Sequence, residues 1–185
     1  SSDLRKNSVG VPKGFANYFI VRFTEPIQRL VREERKGKGG RHALVAVNLA
    51  GEKVSSPTTF YVASSFINRE QAELNLREVA PRSYQQVRAE GKAEWEKQLS
   101  RIAVTDSPDR MSTFYSCLYR SLLFPRRFYE INGKGEVVHY SPYNGQVLPG
   151  YLYTYTGYWD TFRALMPLIH LVYPEEGAKM AEGMM

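Results

Sequence analysis

Apolar positions recur along this chain with two different periods, and the change of period divides it. Residues 15–23, FANYFIVRF, form a short aromatic and β-branched run that reads as a strand. Residues 43–49, ALVAVNL, read as a second strand and residues 58–67, TTFYVASSFI, as a third. Within the third, Thr59, Tyr61, Ala63 and Ser65 alternate with Phe60, Val62 and Ser64, the period of two that sends successive side chains to opposite faces. Gly37, Gly39 and Gly40 lie between the first two strands and suit a long hairpin or loop. Three strands with polar connections are too few to close a core, so they read as the last part of an antiparallel sheet whose partners lie upstream.

From Asn68 onward the period is helical. Residues 68–80, NREQAELNLREVA, open on an asparagine suited to an N-cap and are rich in helix formers, with Pro81 as punctuation. Residues 82–102 place Tyr84, Val87, Gly91, Trp95, Leu99 and Ile102 at steps of three or four, one stripe of a connecting helix, with Lys92 and Glu96 paired on its outward side. A turn cluster at 105–110 precedes residues 111–124, MSTFYSCLYRSLLF, which predict a helix buried on most of its circumference and ended by Pro125. Residues 126–149 hold strand-like fragments at 127–131 and 136–140 among glycines and prolines, where a structured loop is expected rather than a sheet. Residues 151–173 begin with Tyr151, Tyr153, Tyr155 and Tyr158 and continue as a stripe of Trp159, Phe162, Leu165 or Met166, Ile169 and Val172. Pro167 is predicted to kink or break that helix, and Pro174 suits the first position of the next, 175–185, with Glu175 and Glu176 favourable in its first turn. Strands, then a helical connector, then helices point to the end of one domain and the start of another. The helical part reads as a bundle or an α/α barrel. The last residues, AKMAEGMM, stop inside an apolar helical pattern, as expected of a piece of a longer protein.

Composition narrows the function classes. Of 185 residues, 43% are apolar and 24% charged, which is ordinary for a globular chain and unlike a disordered one. No run approaches the roughly 18 apolar residues of a membrane span, and SSDLRKNSVG at the start has no apolar signal core. One cysteine, Cys117, excludes a disulfide framework within this chain and a multi-cysteine zinc site; its setting, FYSCLYRSLLF, predicts a buried thiol. The net charge of +6 is densest at residues 29–41, RLVREERKGKGGR, where glycines and Glu33 and Glu34 interrupt it. A solvated loop is expected there. The aromatic interleaving of a nucleic-acid surface is missing, so that partner class is set aside.

Candidate chemistry concentrates at Asp160, which lies between Trp159 and Phe162 at a predicted helix start. An acid there can cap the helix or pair with Arg163, three residues on. It can also accept hydrogen bonds from sugar hydroxyls while the indole covers an apolar sugar face. The tyrosines before it fit a pocket wall or helix packing. His42, His139 and His170 are dispersed, and His170 reads as a core or edge residue. Ser64, Ser65 and Ser121 have no adjacent histidine and acid, and no glycine-rich phosphate loop follows a strand. A glycosidase of the two-carboxylate kind needs a second acid. Glu130 and Glu136 are loop acids without distinctive neighbours.

The run GYWDTFRALMPLIHLVYPE at 157–175, preceded by TFYSCLYRSLLFPR at 113–126, resembles glycoside hydrolase family 92, the exo-acting α-mannosidases. SSFINREQAELNLREV at 64–79 resembles the end of that family's β-sandwich and the start of its linker, so the resemblance covers roughly residues 58–185. It implies a multi-domain protein, β then α: the C-terminal strands of a β-sandwich at 1–67, a helical linker at 68–107, and the first helices of an (α/α)6 barrel at 108–185. It implies calcium-dependent hydrolysis of terminal α-mannosides of the N-glycan type, with inversion, in the periplasm of a bacterium or outside it. Trp159, Asp160 and Arg163 then hold the terminal mannose. The resemblance puts a sugar-contacting sandwich loop upstream, and the general acid, general base and calcium (Ca2+) ligands downstream of residue 185, so this stretch alone is expected to be inactive. Two other readings of the residues are a non-catalytic carbohydrate-binding or scaffold protein and an (α/α)-barrel enzyme acting on another glycan.

Overall fold

The computed structural model describes residues 14–37, 40–49 and 59–184, with 34–37, 40–44 and 49 described by backbone alone. The chain divides into two compact units. One comprises the chain up to Pro81 with Pro142–Gly145; the other comprises Arg82–Ser141 and Gln146–Met185.

The first unit is built from strands β1 (Tyr18–Phe23), β2 (Ile27–Gly37), β3 (Gly40–Leu49) and β4 (Phe60–Ser65) and helix α1 (Arg69–Leu76). β1 pairs antiparallel with β4, from Tyr18 opposite Ser65 to Phe23 opposite Phe60. That register gathers Tyr18, Ile20, Tyr61, Ala63 and Ser65 on one face, which α1 covers with Ala72 and Leu76. Phe19, Val21, Phe60 and Val62 share the other face and are exposed. Asn68 caps α1 as its type predicts: its Oδ1 accepts from the Gln71 amide at 2.8 Å. Asn75 Nδ2 donates to the Ser64 carbonyl at 2.9 Å and Arg22 pairs with Glu73, so polar groups also join the helix to the sheet.

β2 and β3 form a separate antiparallel ribbon. The stretch 29–41, expected as a loop, is strand through most of its length. Leu30 lies opposite Val47 and Val31 opposite Ala46, and Gly37 faces Gly40 where the ribbon turns. Ile27, Leu30, Val31 and Val45 are all exposed, and backbone pairing at exposed positions needs no alternation of apolar and polar residues. The charges therefore carry no sign of the strand pairing.

The second unit starts with α2 (Tyr84–Leu99) and α3 (Pro108–Ser121). Ser83 and Gln86 form a reciprocal capping box at the start of α2. The predicted stripe of α2 is only partly covered: Trp95 meets Tyr119 edge-on at 4.5 Å, while Tyr84 is exposed. α3 buries Leu118, and its Cys117 is exposed, which corrects the expected buried thiol. Among the described residues the apolar positions of α3 are met on one side, by α2 and by the Ile102 carbonyl that accepts from Tyr115, so its circumference is not enclosed.

Residues 126–149 correct another expectation. They contain β5 (Arg126–Arg127), β6 (Glu130–Ile131), β7 (Val137–Tyr140) and β8 (Val147–Pro149), and the last three form an antiparallel sheet in chain order. The tight turns are set by Asn132, whose side chain accepts from the amides of Lys134 and Glu136, and by Gly135 at φ 80°. β5 pairs with β9 (Tyr153–Thr154), Arg126 opposite Thr154 and Arg127 opposite Tyr153.

Three helices follow: α4 (Tyr158–Thr161), α5 (Leu165–Val172) and α6 (Pro174–Glu182). Pro167 is the third residue of α5, where a missing amide proton leaves no intrahelical bond unmade, so the helix breaks between Thr161 and Leu165 instead of kinking at the proline. Pro174 opens α6 with Glu175 and Glu176 in its first turn. Ile169, 1% exposed, anchors the core with Tyr153, Tyr173 and Met180. Gly177 lets α6 approach α5: a Cβ there would lie 3.0 Å from His170 Cδ2 and 3.3 Å from its Cα.

Candidate functional site

The tyrosine-rich approach to α4 divides into two pairs. Tyr151 and Tyr153 turn inward, packing edge-on against Tyr129 at 4.8 and 5.7 Å. Tyr155 and Tyr158 are exposed. The simple alternation fails at Tyr155, whose φ of 60° reverses the course of the chain. An unbroken tyrosine-lined wall is therefore not what the segment forms.

Gly157 then starts α4. Its carbonyl accepts from the amides of Asp160 and Thr161, both at 3.1 Å, and from the Thr161 hydroxyl at 2.9 Å. These bonds fix the short turn that carries the candidate residues. Asp160 is its third residue, with the carboxylate folded over Gly157: a Cβ at 157 would lie 2.6 Å from Asp160 Oδ2. Asp160 does not cap the helix. Among the described residues its carboxylate accepts no hydrogen bond and pairs with no cation, Arg163 included. The Arg163 guanidinium instead lies over two rings, 5.9 Å from the centre of Trp159 and 5.1 Å from that of Phe162, whose own centres are 6.2 Å apart. Trp159 is 81% exposed. Within five residues the turn thus carries a carboxylate folded over Gly157, an exposed indole and a guanidinium lying over that indole.

A second feature of this unit escaped the sequence. A cleft of about 960 Å³ runs past Trp95, Phe124, Arg126, Tyr153 and Tyr173 to Glu176. Arg127 pairs with Glu176 at 2.9 Å and Lys179 with the same carboxylate at 2.8 Å, while the Tyr153 hydroxyl lies 3.5 Å from it. Burial opposes the charged form of Glu176, but hydrogen bonds from Lys179 and Arg127 outweigh it and hold the carboxyl below the usual carboxylate range. Burial first, with Tyr129 and the Glu176 carboxylate beside it, pushes the Tyr153 hydroxyl well above its ordinary value. Nearby, Arg101 covers the Tyr173 ring at 5.0 Å and bonds to Glu175 at 3.2 Å. Each residue is unremarkable in the sequence, because the β5–β9 register and the α6 docking bring them together. The saturated ion pairing marks a structural role. Glu130 and Glu136 stay apart from both features: Glu130 lies in β6, and Glu136 accepts from Asn132 within its turn.

Residues 71–185 match the model of the glycosyl hydrolase family 92 catalytic domain. No curated protein sequence matches the chain. Among solved structures, it is similar to a family GH92 inverting mannosidase from Bacteroides thetaiotaomicron VPI-5482, with 39% identity and a TM-score of 0.84 over 96% of this chain and 25% of that one. A family GH92 α-mannosidase of Bacteroides thetaiotaomicron shares 24% identity, with a TM-score of 0.73 over 91% of this chain and 24% of that one. Its complex with mannoimidazole aligns at 23% identity and a TM-score of 0.66, over 83% and 22% of the two chains. At those identities the last two show a shared fold. The chain spans about a quarter of the length of the solved chains it matches. The family-model match over more than half of the chain and the 39% identity across nearly all of it establish one conclusion: the chain belongs to glycosyl hydrolase family 92.

Proposed function

We propose that the full-length protein is an α-mannosidase that releases terminal mannose from α-mannosides of the N-glycan type by calcium-assisted hydrolysis with inversion. The observation that carries this reading is the α4 turn, where Asp160, Trp159 and Arg163 stand exposed and the carboxylate is unengaged, in a chain of this family. The 39%-identical relative is itself an inverting mannosidase, which supports the stereochemical assignment. In this reading the Trp159 indole covers the apolar face of the terminal mannose. Asp160 accepts hydrogen bonds from neighbouring hydroxyls, and Arg163, steadied over the Trp159 and Phe162 rings, donates one. These residues hold and orient the sugar. Proton transfer and activation of water belong to carboxyl groups beyond residue 185.

The proposal divides the chain into the end of a β-sandwich (1–67), a helical linker (68–107) and the start of an (α/α)6 catalytic barrel (108–185). It places the enzyme in the periplasm or outside the cell. Among the described residues no helix is long and apolar enough to cross a membrane. Calcium does not fit the described residues: no three of His, Cys, Asp or Glu come together, and Asp160 is a lone carboxylate. The ion's ligands must come from elsewhere in the protein, and nothing assigned to Trp159, Asp160 or Arg163 depends on it.

The test is release of mannose from an aryl α-mannoside by the full-length protein, with calcium and with a chelator. Release that the chelator abolishes is expected, and no release at saturating calcium refutes the proposal. Asp160→Ala should lower kcat/KM by about 10²-fold, the order expected when a charged hydrogen-bonding group is lost from the transition state. Its melting temperature should change little. A parallel collapse of fold and activity would instead show that Asp160 is structural.

A further inference from the structure

We propose that Tyr155 is a platform for the sugar that precedes the terminal mannose, and so governs which glycans are accepted. The inference rests on the α-mannosidase reading above. Among the described residues Tyr155 is the one non-glycine residue with a positive φ, 60°. Bulky side chains disfavour that conformation, and folds retain it where surrounding structure enforces it, commonly at functional sites. Burial does not compensate the strain, because Tyr155 is 73% exposed. Its neighbours add to the cost of the corner: the hydroxyls of Thr154 and Thr156 are buried without a hydrogen-bond partner. One strained residue, flanked by two unpartnered hydroxyls, thus carries an outward-facing aromatic ring.

The ring is also braced. Arg126 lies opposite Thr154 in the β5–β9 pair, and its guanidinium sits 5.5 Å from the centre of the Tyr155 ring and 5.3 Å from that of Phe124. A cation close to both rings steadies their orientation, and its N–H groups remain donors beside them. A braced, exposed aromatic face with donors at its margin suits a neutral pyranose: apolar C–H groups lie against the ring and hydroxyls meet the guanidinium edge. Tyr155 is four residues from Trp159, so their Cα atoms are at most about 14 Å apart along any course of the chain. That places the two aromatics within the reach of adjacent sugars in one glycan. Trp159 then serves the terminal mannose, and Tyr155 the residue it leaves behind.

The experiment compares α-mannobiose with α-mannosyl fluoride as substrates of the full-length protein. The fluoride has no second sugar to stack. Tyr155→Gly removes the ring and relaxes the backbone, while Tyr155→Phe keeps the ring. Tyr155→Gly should raise KM for α-mannobiose about 10-fold, the order expected for one lost aromatic contact. Its kcat/KM on the fluoride should stay within about twofold of wild type, and Tyr155→Phe should match wild type on both substrates. Equal losses on both substrates, or no change on either, overturn the inference while the mannosidase reading stands. A wild-type protein that cleaves neither substrate overturns both.

Discussion

Gly157→Ala tests the α4 turn with a single methyl group. At φ −98° and ψ 116° the glycine occupies ordinary extended backbone, so alanine introduces no conformational strain. The new Cβ would lie 2.6 Å from Asp160 Oδ2 and 3.6 Å from its Cγ, so the oxygen must move by about 0.8 Å to reach ordinary contact. The carboxylate has no partner among the described residues, so its rotation breaks no hydrogen bond. Alanine in place of glycine at an N-cap costs about 1 kcal/mol or less, equivalent to a fall of roughly 2–4 °C in Tm for a domain of this size. A holding group displaced by about 1 Å can cost about 10²-fold in rate. The expected result is therefore a large fall in kcat/KM on an α-mannoside with a small change in melting temperature, both measured on the full-length protein. Activity within twofold of wild type, with the fold intact, would refute the claim that Asp160 holds the sugar from this position. A large fall in Tm would show that the carboxylate's placement supports the fold.

Two further predictions concern the second unit. Glu176→Gln removes the charge shared by Arg127 and Lys179 on a side chain only 28% exposed, and should destabilise by about 1–3 kcal/mol in urea unfolding. Because the folded carboxyl titrates below its ordinary value of 4.5, its contribution is complete above that pH and is lost as pH falls through the folded value, so the gap to wild type should narrow in acid. Tyr153 has the opposite sign: its raised pKa contributes fully below pH 10 and is lost as pH rises beyond that, so alkaline titration should weaken the same unit. Gly177→Ala puts a methyl 3.0 Å from the His170 ring and 3.3 Å from its Cα, and should lower stability by about 1–3 kcal/mol through overpacking; an unchanged Tm would refute the close α5–α6 contact.

Local signals in the sequence were legible where one residue determines one local geometry. Asn68 at the start of α1 and Pro174 with its two glutamates at the start of α6 behave as their types predict. The α4 turn that carries Trp159 and Asp160 starts at Gly157, whose carbonyl makes its first bonds. Features that depend on distant pairing were not legible. The β2–β3 ribbon overlaps a charged run, and its apolar Ile27, Leu30, Val31 and Val45 are exposed, so no core-facing period marks those positions. The β6–β8 sheet is made of strands too short to show a period. Glu176 meets Lys179 within its own helix, but it gains Arg127 only through the register of Arg127 against Tyr153. The positive φ at Tyr155 separates the packed Tyr151 and Tyr153 from the exposed Tyr155 and Tyr158, a division that no regular period could show. The comparisons with solved structures support the β-then-α order; the sandwich and barrel around it remain part of the proposal.

The break before α5 has a consequence for how such a protein can diversify. Pro167 sits where α5 begins, so the buried Ile169 and Tyr173 are fixed by a helix that does not extend back into α4. Residues 157–163 are tied instead by the Gly157 carbonyl and by Arg163 stacked on Trp159, contacts local to the segment. Residues held in this way can be substituted without repacking the hydrophobic centre beneath them. Swapping residues 157–163 for those of another family member should therefore change activity on mannosides while leaving the melting temperature close to that of the recipient.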